Sequence, residues 1–287
     1  MEVALIKPQG YCAGVMQAIK LAVEAKEYNP NRNVFVLGML VHNKIVIDEL
    51  SRHGIKTLEG DNEINLINSL SKGDVIIFSA HGHDPKLDEL AKSKGLIIYD
   101  ATCPKVANNM NRIREEIKAN HQVIYIGQNG HRETNAALSL SNNVSLYDTK
   151  LLINYQLITD KSPYVINQTT LNFIALEDIH NDIKKHIPGA RIANEICAAT
   201  RLRQEAILNI DKDTDLILIV GDQKSSNSKK LYDLAKEHYI NSDVYLVRDL
   251  EDVKKLDLAN KKKAAISSGA STPLFLVEEI HEYLSTK

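Results

Sequence analysis

The chain has no tryptophan, only four phenylalanines and only three cysteines in 287 residues. Three cysteines cannot all pair, so a disulfide framework is excluded. They include no C-x2-C pair, the spacing that zinc sites commonly use. No apolar run approaches the roughly 20 residues of a membrane-spanning helix. Met1-Glu2-Val3 leads straight into a predicted strand, with nothing resembling a signal peptide. Net charge is small as well: 35 Lys and Arg stand against 37 Asp and Glu, formally −2. A general nucleic-acid binder usually carries a basic surface. The run Lys261-Lys262-Lys263 reads as a solvated strand entrance. The expectation is a cytoplasmic protein with no membrane or nucleic-acid partner. In that reducing compartment free thiols serve as ligands or nucleophiles.

What is present is repeated. Cys12, Cys103 and Cys197 are separated by 91 and 94 residues. Each follows a short apolar run and a turn and precedes a predicted helix. The runs are Val3-Ala4-Leu5-Ile6, Leu96-Ile97-Ile98-Tyr99 and Ala190-Arg191-Ile192. The pattern reads as one supersecondary unit used three times. Glycines recur after each cysteine, at Gly38, Gly127 and Gly221, with offsets of 26, 24 and 24 residues. Four residues further on stand His42, His131 and Ser225.

Strands and helices alternate throughout, about four strands to each third. In the first third, strands are predicted near Val3–Lys7, Val34–Leu37, Lys56–Leu58 and Val75–Phe78. Alternation of this kind predicts parallel sheets covered by helices. The expected fold is α/β: three pseudo-threefold-related units, 1–95, 96–189 and 190–287, each with a mostly parallel four-stranded sheet. The fourth strand of each unit ends in small and polar residues: Ser79-Ala80-His81-Gly82, Asn167-Gln168-Thr169-Thr170 and Ser267-Ser268-Gly269-Ala270-Ser271. Ligands of parallel sheets sit beyond the carboxyl ends of the strands. The strand ends and the cysteines should therefore surround one central cavity.

Three thiolates suit a soft metal centre. Lone cysteines far apart in sequence fit an iron–sulfur cluster better than zinc. With three cysteines, a cubane cluster keeps one iron without a protein thiolate, free to act as a Lewis acid and to deliver electrons. The plain alternative is three buried structural cysteines, since free Cys is among the most buried residue types. Around the centre, His42, His81, His131, Ser225, Ser226, Asn227 and Ser271 form a set of hydrogen-bond donors. The Ser-rich loop after Gly221 runs into a helix N-terminus, which favours anions such as phosphate or diphosphate. Helix capping alone would account for one or two of the serines. Glu133 could be a proton donor if burial raises its pKa, or simply a first-turn carboxylate favoured by the helix dipole. Thr169 could orient a water or a substrate hydroxyl, or merely end a strand. His83 reads as a loop residue.

These stretches together resemble the 4-hydroxy-3-methylbut-2-enyl diphosphate reductase family. The matching motifs are Gly10-Tyr11-Cys12-Ala13-Gly14-Val15, Val41-His42-Asn43, Ser79-Ala80-His81-Gly82 and Asp100-Ala101-Thr102-Cys103-Pro104. Further along come Gln168-Thr169-Thr170-Leu171, Cys197-Ala198-Ala199-Thr200 with Arg203-Gln204, Ser225-Ser226-Asn227-Ser228 and Gly269-Ala270-Ser271. The match runs in order along nearly the whole chain. The resemblance implies a trefoil of three α/β units around a 4Fe–4S cluster held by Cys12, Cys103 and Cys197. It implies reductive removal of the allylic hydroxyl of (E)-4-hydroxy-3-methylbut-2-enyl diphosphate, the last step of the non-mevalonate isoprenoid pathway. The products are isopentenyl and dimethylallyl diphosphate. It assigns His42, His81, His131, Ser225, Ser226, Asn227 and Ser271 to diphosphate, Glu133 to proton donation and Thr169 to a proton relay beside the substrate hydroxyl. A ferredoxin or flavodoxin would supply electrons.

The chain departs from the family pattern in places. His131-Arg132-Glu133-Thr134-Asn135-Ala136 stands where His-Pro-Glu-Val-x-Gly is usual, which changes the stiffness expected of that loop. His83 replaces a Val or Ile. Lys229-Lys230 replaces an Asn or Thr followed by Arg. Two other functions use the same three cysteines: a non-redox hydratase or dehydratase, and a non-enzymatic iron–sulfur sensor. Neither of them needs both an electron donor and a selective diphosphate site.

Overall fold

Val75-Ile76-Ile77-Phe78 and Leu216-Ile217-Leu218-Ile219-Val220 are buried at every residue. Strands apolar on both sides need helices on both faces of their sheet. The computed structural model describes the whole chain except residues 61, 150, 152, 194 and 195. Its first third runs β1 (Glu2–Leu5), α1 (Ala13–Glu27), β2 (Val34–Leu37), α2 (Lys44–Arg52), β3 (Ile55–Leu58), α3 (Glu63–Asn68), β4 (Val75–Phe78) and α4 (Pro85–Ser93). The second runs β5 (Ile97–Asp100), α5 (Pro104–Lys118), β6 (Val123–Gly127), α6 (Arg132–Leu138), β7 (Val144–Asp148), a 3-10 turn (Tyr155–Leu157), β8 (Tyr164–Asn167) and α7 (Phe173–His186). The third runs β9 (Arg191–Ile192), α8 (Ala198–Leu208), β10 (Leu216–Val220), α9 (Ser226–His238), β11 (Asp243–Val247), α10 (Leu250–Val253), β12 (Lys263–Ser268) and α11 (Leu274–Ser285).

The strands form three four-stranded sheets in the orders β3-β2-β4-β5, β7-β6-β8-β9 and β11-β10-β12-β1. Every pairing is parallel. Each sheet has a buried apolar cluster on both faces. On one face of the first sheet, α1 buries Val15, Ala18, Ala22 and Ala25, spaced three or four apart. The three alanines let the helix lie close to Val34 and Val36.

The sheets do not coincide with the segments 1–95, 96–189 and 190–287. The strand leading to each cysteine completes the sheet of the preceding third: β5 pairs with β4, β9 with β8, and β1 with β12. The reason is the crossover rule. The short βαβ units β4-α4-β5 and β8-α7-β9 pack their strands side by side in one sheet. The chain passes to the next sheet only through the helix after the cysteine. α1, α5 and α8 are therefore the connectors between sheets, and β1 closes the circle from the other end of the chain. Among the described residues, no helix is long and apolar enough to cross a membrane.

Candidate active site

Each connecting helix starts at a cysteine. Cys12, Cys103 and Cys197 are the N-caps of α1, α5 and α8. Each cysteine N–H donates to a carbonyl just beyond the fourth strand of a unit. Cys12 donates to Ala270 at 2.9 Å, Cys103 to Ala80 at 3.0 Å and Cys197 to Thr169 at 3.2 Å. One backbone bond, repeated three times, brings the cysteines together with the polar strand ends. All three thiols are unpaired.

Every residue that the sequence singled out for chemistry lines one cavity of about 110 Å³: the three cysteines, His42, His81, His131, Glu133, Thr169, Ser225, Ser226, Asn227 and Ser271. His83 does not line it. Its ring stacks on Phe78 with centroids 3.7 Å apart, and Nε2 pairs with Asp88 at 2.8 Å.

At the thiols, space is tight. A Cβ on Gly14 would stand 2.6 Å from Cys103 Sγ, so only glycine fits there. Burial pushes the Cys103 thiol up, and the Lys105 and Val106 N–H groups at the start of α5 oppose this. Beneath lies Arg203, 3% exposed. Its donors reach three carbonyls: Gly10 at 2.7 Å, Ala199 at 3.1 Å and Ser268 at 3.2 Å. Burial lowers its pKa, and the charges that favour its cationic form are those of Cys12 and Cys197. A buried guanidinium needs a compensating anion, and the groups facing it here are thiols. Among the described residues, no three His, Cys, Asp or Glu side chains stand close enough to share one ion.

The wall above holds three imidazoles. Ring centroids are 4.3 Å apart for His42 and His81, 6.1 Å for His42 and His131, and 6.0 Å for His81 and His131. Burial lowers the pKa of all three, with a further push from the Arg132 guanidinium; His131 is brought down to about 4. All three are therefore neutral at pH 7. His131 caps α6 by accepting the Glu133 N–H on Nδ1 at 3.2 Å. That bond assigns its proton to Nε2, which is left to donate elsewhere. His42 Nδ1 is buried without a partner.

The third unit supplies hydroxyls and an amide at the N-terminus of α9. Ser225 is its N-cap and accepts the Ser228 N–H at 3.3 Å. Asn227 is held at both ends of its amide, by Thr200 Oγ1 at 3.3 Å and the Ala270 N–H at 3.0 Å. Ser271 donates to the His42 carbonyl at 3.2 Å, tying the third unit to the first.

Glu133, 2% exposed, lies on the buried side of α6. Its Oε1 accepts Tyr125 Oη–H at 3.1 Å and the Thr169 N–H at 2.9 Å; its Oε2 accepts the Thr169 hydroxyl at 2.8 Å. Burial raises its pKa to about 7, against the pull of those three bonds. It is a carboxyl able to hold a proton near neutrality and joined directly to a hydroxyl on the cavity wall.

Sequence reasoning missed three supporting residues. Tyr125 sits inside an apolar strand and carries no signal of its own. Gln168 and Arg203 lay within recognised motifs without an assigned task. Gln168, fully buried, accepts the Gln128 N–H at 3.1 Å and the Thr134 hydroxyl at 3.3 Å, and donates to Thr170 at 2.8 Å.

The chain is similar along its length to proteins named as reductases. A 4-hydroxy-3-methylbut-2-enyl diphosphate reductase from Brevibacillus brevis is 38% identical over 287 residues, covering 99% of this chain and 91% of that one. The protein of the same name from Malacoplasma penetrans is 36% identical, covering 100% and 98%. The solved E-1-hydroxy-2-methyl-but-2-enyl-4-diphosphate reductase of Plasmodium falciparum superposes with a TM-score of 0.87 at 30% identity, over 99% of this chain and 88% of that one. A second solved structure, described as the terminal enzyme of the non-mevalonate pathway, gives a TM-score of 0.69 at 25% identity with both chains fully covered. With residues 3–285 matched by the model of the LytB protein family, the chain belongs to that family.

Proposed function

We propose that this chain is a 4-hydroxy-3-methylbut-2-enyl diphosphate reductase. It removes the allylic hydroxyl of (E)-4-hydroxy-3-methylbut-2-enyl diphosphate as water, with two electrons and two protons, and yields isopentenyl and dimethylallyl diphosphate. The observation that carries this reading is a single cavity, in a LytB chain, that joins three thiols, a neutral-range acid and a wall of imidazole, hydroxyl and amide groups.

The residues present fit an iron–sulfur cluster. Gly14 leaves room for Cys103 Sγ, backbone N–H groups face that sulfur, and Arg203 supplies a buried cation whose favourable charges, among the described residues, are those of Cys12 and Cys197. Cys12, Cys103 and Cys197 would hold the cluster. A 4Fe–4S cluster bound there supplies one-electron chemistry and, having only three protein ligands, one Lewis-acidic iron. The electrons come from a carrier of ferredoxin or flavodoxin type. The unpaired thiols suit a reducing cytoplasm.

Diphosphate binds against the wall. Neutral imidazoles of His42, His81 and His131 each have one N–H to give, and Ser225, Ser226, Asn227 and Ser271 add hydroxyl and amide donors. The α9 N-terminus adds its unpaired N–H groups and dipole. Glu133 holds a proton at the carboxyl, and the Thr169 hydroxyl, 2.8 Å from it, hands that proton toward the departing oxygen. Tyr125 and the Thr169 N–H fix the carboxyl in place.

The test is anaerobic purification, a count of iron and sulfide, and an assay of the allylic diphosphate with a chemical reductant. Both products should form only when reductant is present. A loaded protein that leaves the substrate untouched, or one that converts it without reductant, would overturn the reading.

A further inference from the structure

Arg132 lies between His131 and Glu133, at a position where the resembled motif has proline. It is the first residue of α6, a helix of only seven residues. A proline in that place fixes the backbone for helix entry. Arginine does not, so the position of His131 and Glu133 must be secured by other contacts.

The side chain leaves its own unit. Nη1 donates to Glu63 Oε1 at 2.8 Å, at the start of α3, and lies 3.4 Å from the Leu37 carbonyl at the end of β2. The guanidinium rests on the bare Cα of Gly38, where a Cβ would overlap its carbon and both terminal nitrogens. The glycines at the equivalent strand ends of the other sheets receive something different. Gly127 faces the hydroxyl of Thr134, and Gly221 that of Ser228, both from the helix that follows in the same unit. Only at Gly38 does the guest come from a neighbouring unit.

The loop beyond Gly38 carries His42. One side chain therefore ties the segment bearing His42 to the helix start bearing His131 and Glu133. The bland alternative is a surface ion pair, and Arg132 and Glu63 are indeed 27% and 33% exposed. Such pairs add little to stability. The side chain's effect should then appear in the geometry of the site and not in the fold. The guanidinium also lies near enough to all three histidines to disfavour their protonation.

We propose that Arg132 is a positioning residue, a strap between the first two units that sets His131 and Glu133 against His42 where proline is the usual restraint. This rests on the reading of the wall as a diphosphate site.

The test uses the cluster-loaded enzyme under anaerobic conditions, with Arg132→Ala, Arg132→Pro, Glu63→Gln and the Arg132→Ala/Glu63→Gln pair. Four quantities are read: affinity for inorganic diphosphate by calorimetry, kcat, KM and the melting temperature. Arg132→Ala should lower kcat/KM by on the order of 10-fold through misplacement of the wall, with the cluster spectrum and melting temperature nearly unchanged. Glu63→Gln should reproduce part of that loss, and the pair should be no worse than Arg132→Ala alone. Arg132→Pro should recover most of the activity. If Arg132 instead contacts the diphosphate itself, proline will not rescue and Glu63→Gln will be silent. Either result overturns the strap, as does Arg132→Ala within twofold of wild type in both affinity and kcat/KM. Should Arg132→Ala fail to fold, Glu63→Gln and Arg132→Pro decide alone. Failure of the reductase reading would show separately, as a wild-type enzyme that binds diphosphate but does not turn over.

Discussion

The floor of the cavity keeps the threefold symmetry of the scaffold, and the wall breaks it. On the floor, three cysteines occupy the same N-cap position and make the same backbone bond to a strand end. On the wall, equivalent loops carry His42, His131 and Ser225, and the next set carries His81, Thr169 and Ser271. Among the described residues, only the second unit places a carboxyl there, Glu133. Identical positions on the floor suit a group that presents equal faces to three units. Unequal positions on the wall suit a substrate with one charged end and one reacting end. The repeat supplies the frame, and substitution at strand ends supplies direction.

That comparison predicts equal penalties on the floor. Cys12→Ser, Cys103→Ser and Cys197→Ser should each lose most of the iron and nearly all activity, measured by iron and sulfide content and by turnover. A single cysteine variant with full iron and normal rate would show that the floor is not threefold in function. On the wall the penalties should differ in kind. Glu133→Gln keeps the size of the side chain and one acceptor but cannot give a proton. General acid catalysis is typically worth about 10²–10⁴-fold, so kcat should fall by that order while the cluster spectrum and diphosphate affinity persist. A variant within about threefold of wild-type kcat contradicts the proton-donor role judged against that range.

The same division explains what the sequence discloses. The floor was legible because cysteine is rare here and its spacing is regular. The succession of strands and helices along the chain was legible because hydrophobic period and glycine punctuation repeat in each third. Sheet membership was not. The pairing of β1 with β12, 261 residues apart at Glu2 and Lys263, leaves no local mark. The expected units began with the strand leading to each cysteine, but the pairing of that strand places the dividing point one strand later, at the cysteine. The wall was legible where strand-end motifs recur, as at His42 and Ser225. It was hidden where a residue acts from inside an apolar strand. Tyr125 reads as core in Val123-Ile124-Tyr125-Ile126, and only the fold brings its hydroxyl to Glu133. Arg132 reads only as a change in loop stiffness until Gly38 is seen beneath it.

A smaller effect separates binding from chemistry on the wall. Hydrogen bonds to charged groups contribute roughly 1.5–3 kcal/mol each. His42→Phe or Asn227→Ala should therefore weaken diphosphate binding on the order of 10- to 100-fold, at about 1.4 kcal/mol per decade. The cluster's spectrum should be unchanged, since neither residue is a thiol. The corresponding alcohol without diphosphate should bind far more weakly. Anaerobic calorimetry on both ligands gives the answer, and comparable affinities for alcohol and diphosphate would remove the anion site from the wall.

The smallest predicted effect is in pH, and it distinguishes the one acid of the wall from its imidazoles. Burial raises Glu133 to about 7 from an ordinary 4.5, and the donor must be protonated to act. Activity should hold below pH 7 and fall about tenfold per unit above it, seen in kcat/KM because that ratio reports the free enzyme. Burial holds His81 and His131 well below this window and lowers His42 from an ordinary 6.5, so these imidazoles set no limb there. A phosphate group finishes ionising near pH ~6, so the limb above 7 belongs to the protein. The measurement needs an artificial electron donor whose potential does not vary with pH. Linkage gives a second view of the same proton. A carboxyl raised on folding favours the native state fully below its unfolded pKa, and that contribution is lost as pH rises through about 7. Glu133→Gln should therefore gain stability relative to wild type between pH 5 and pH 8, measured by denaturant unfolding, and its residual activity should lack the alkaline limb. A wild-type profile flat from pH 6 to 9 would mean that Glu133 does not hold the transferred proton, and the asymmetry of the wall would then concern binding alone.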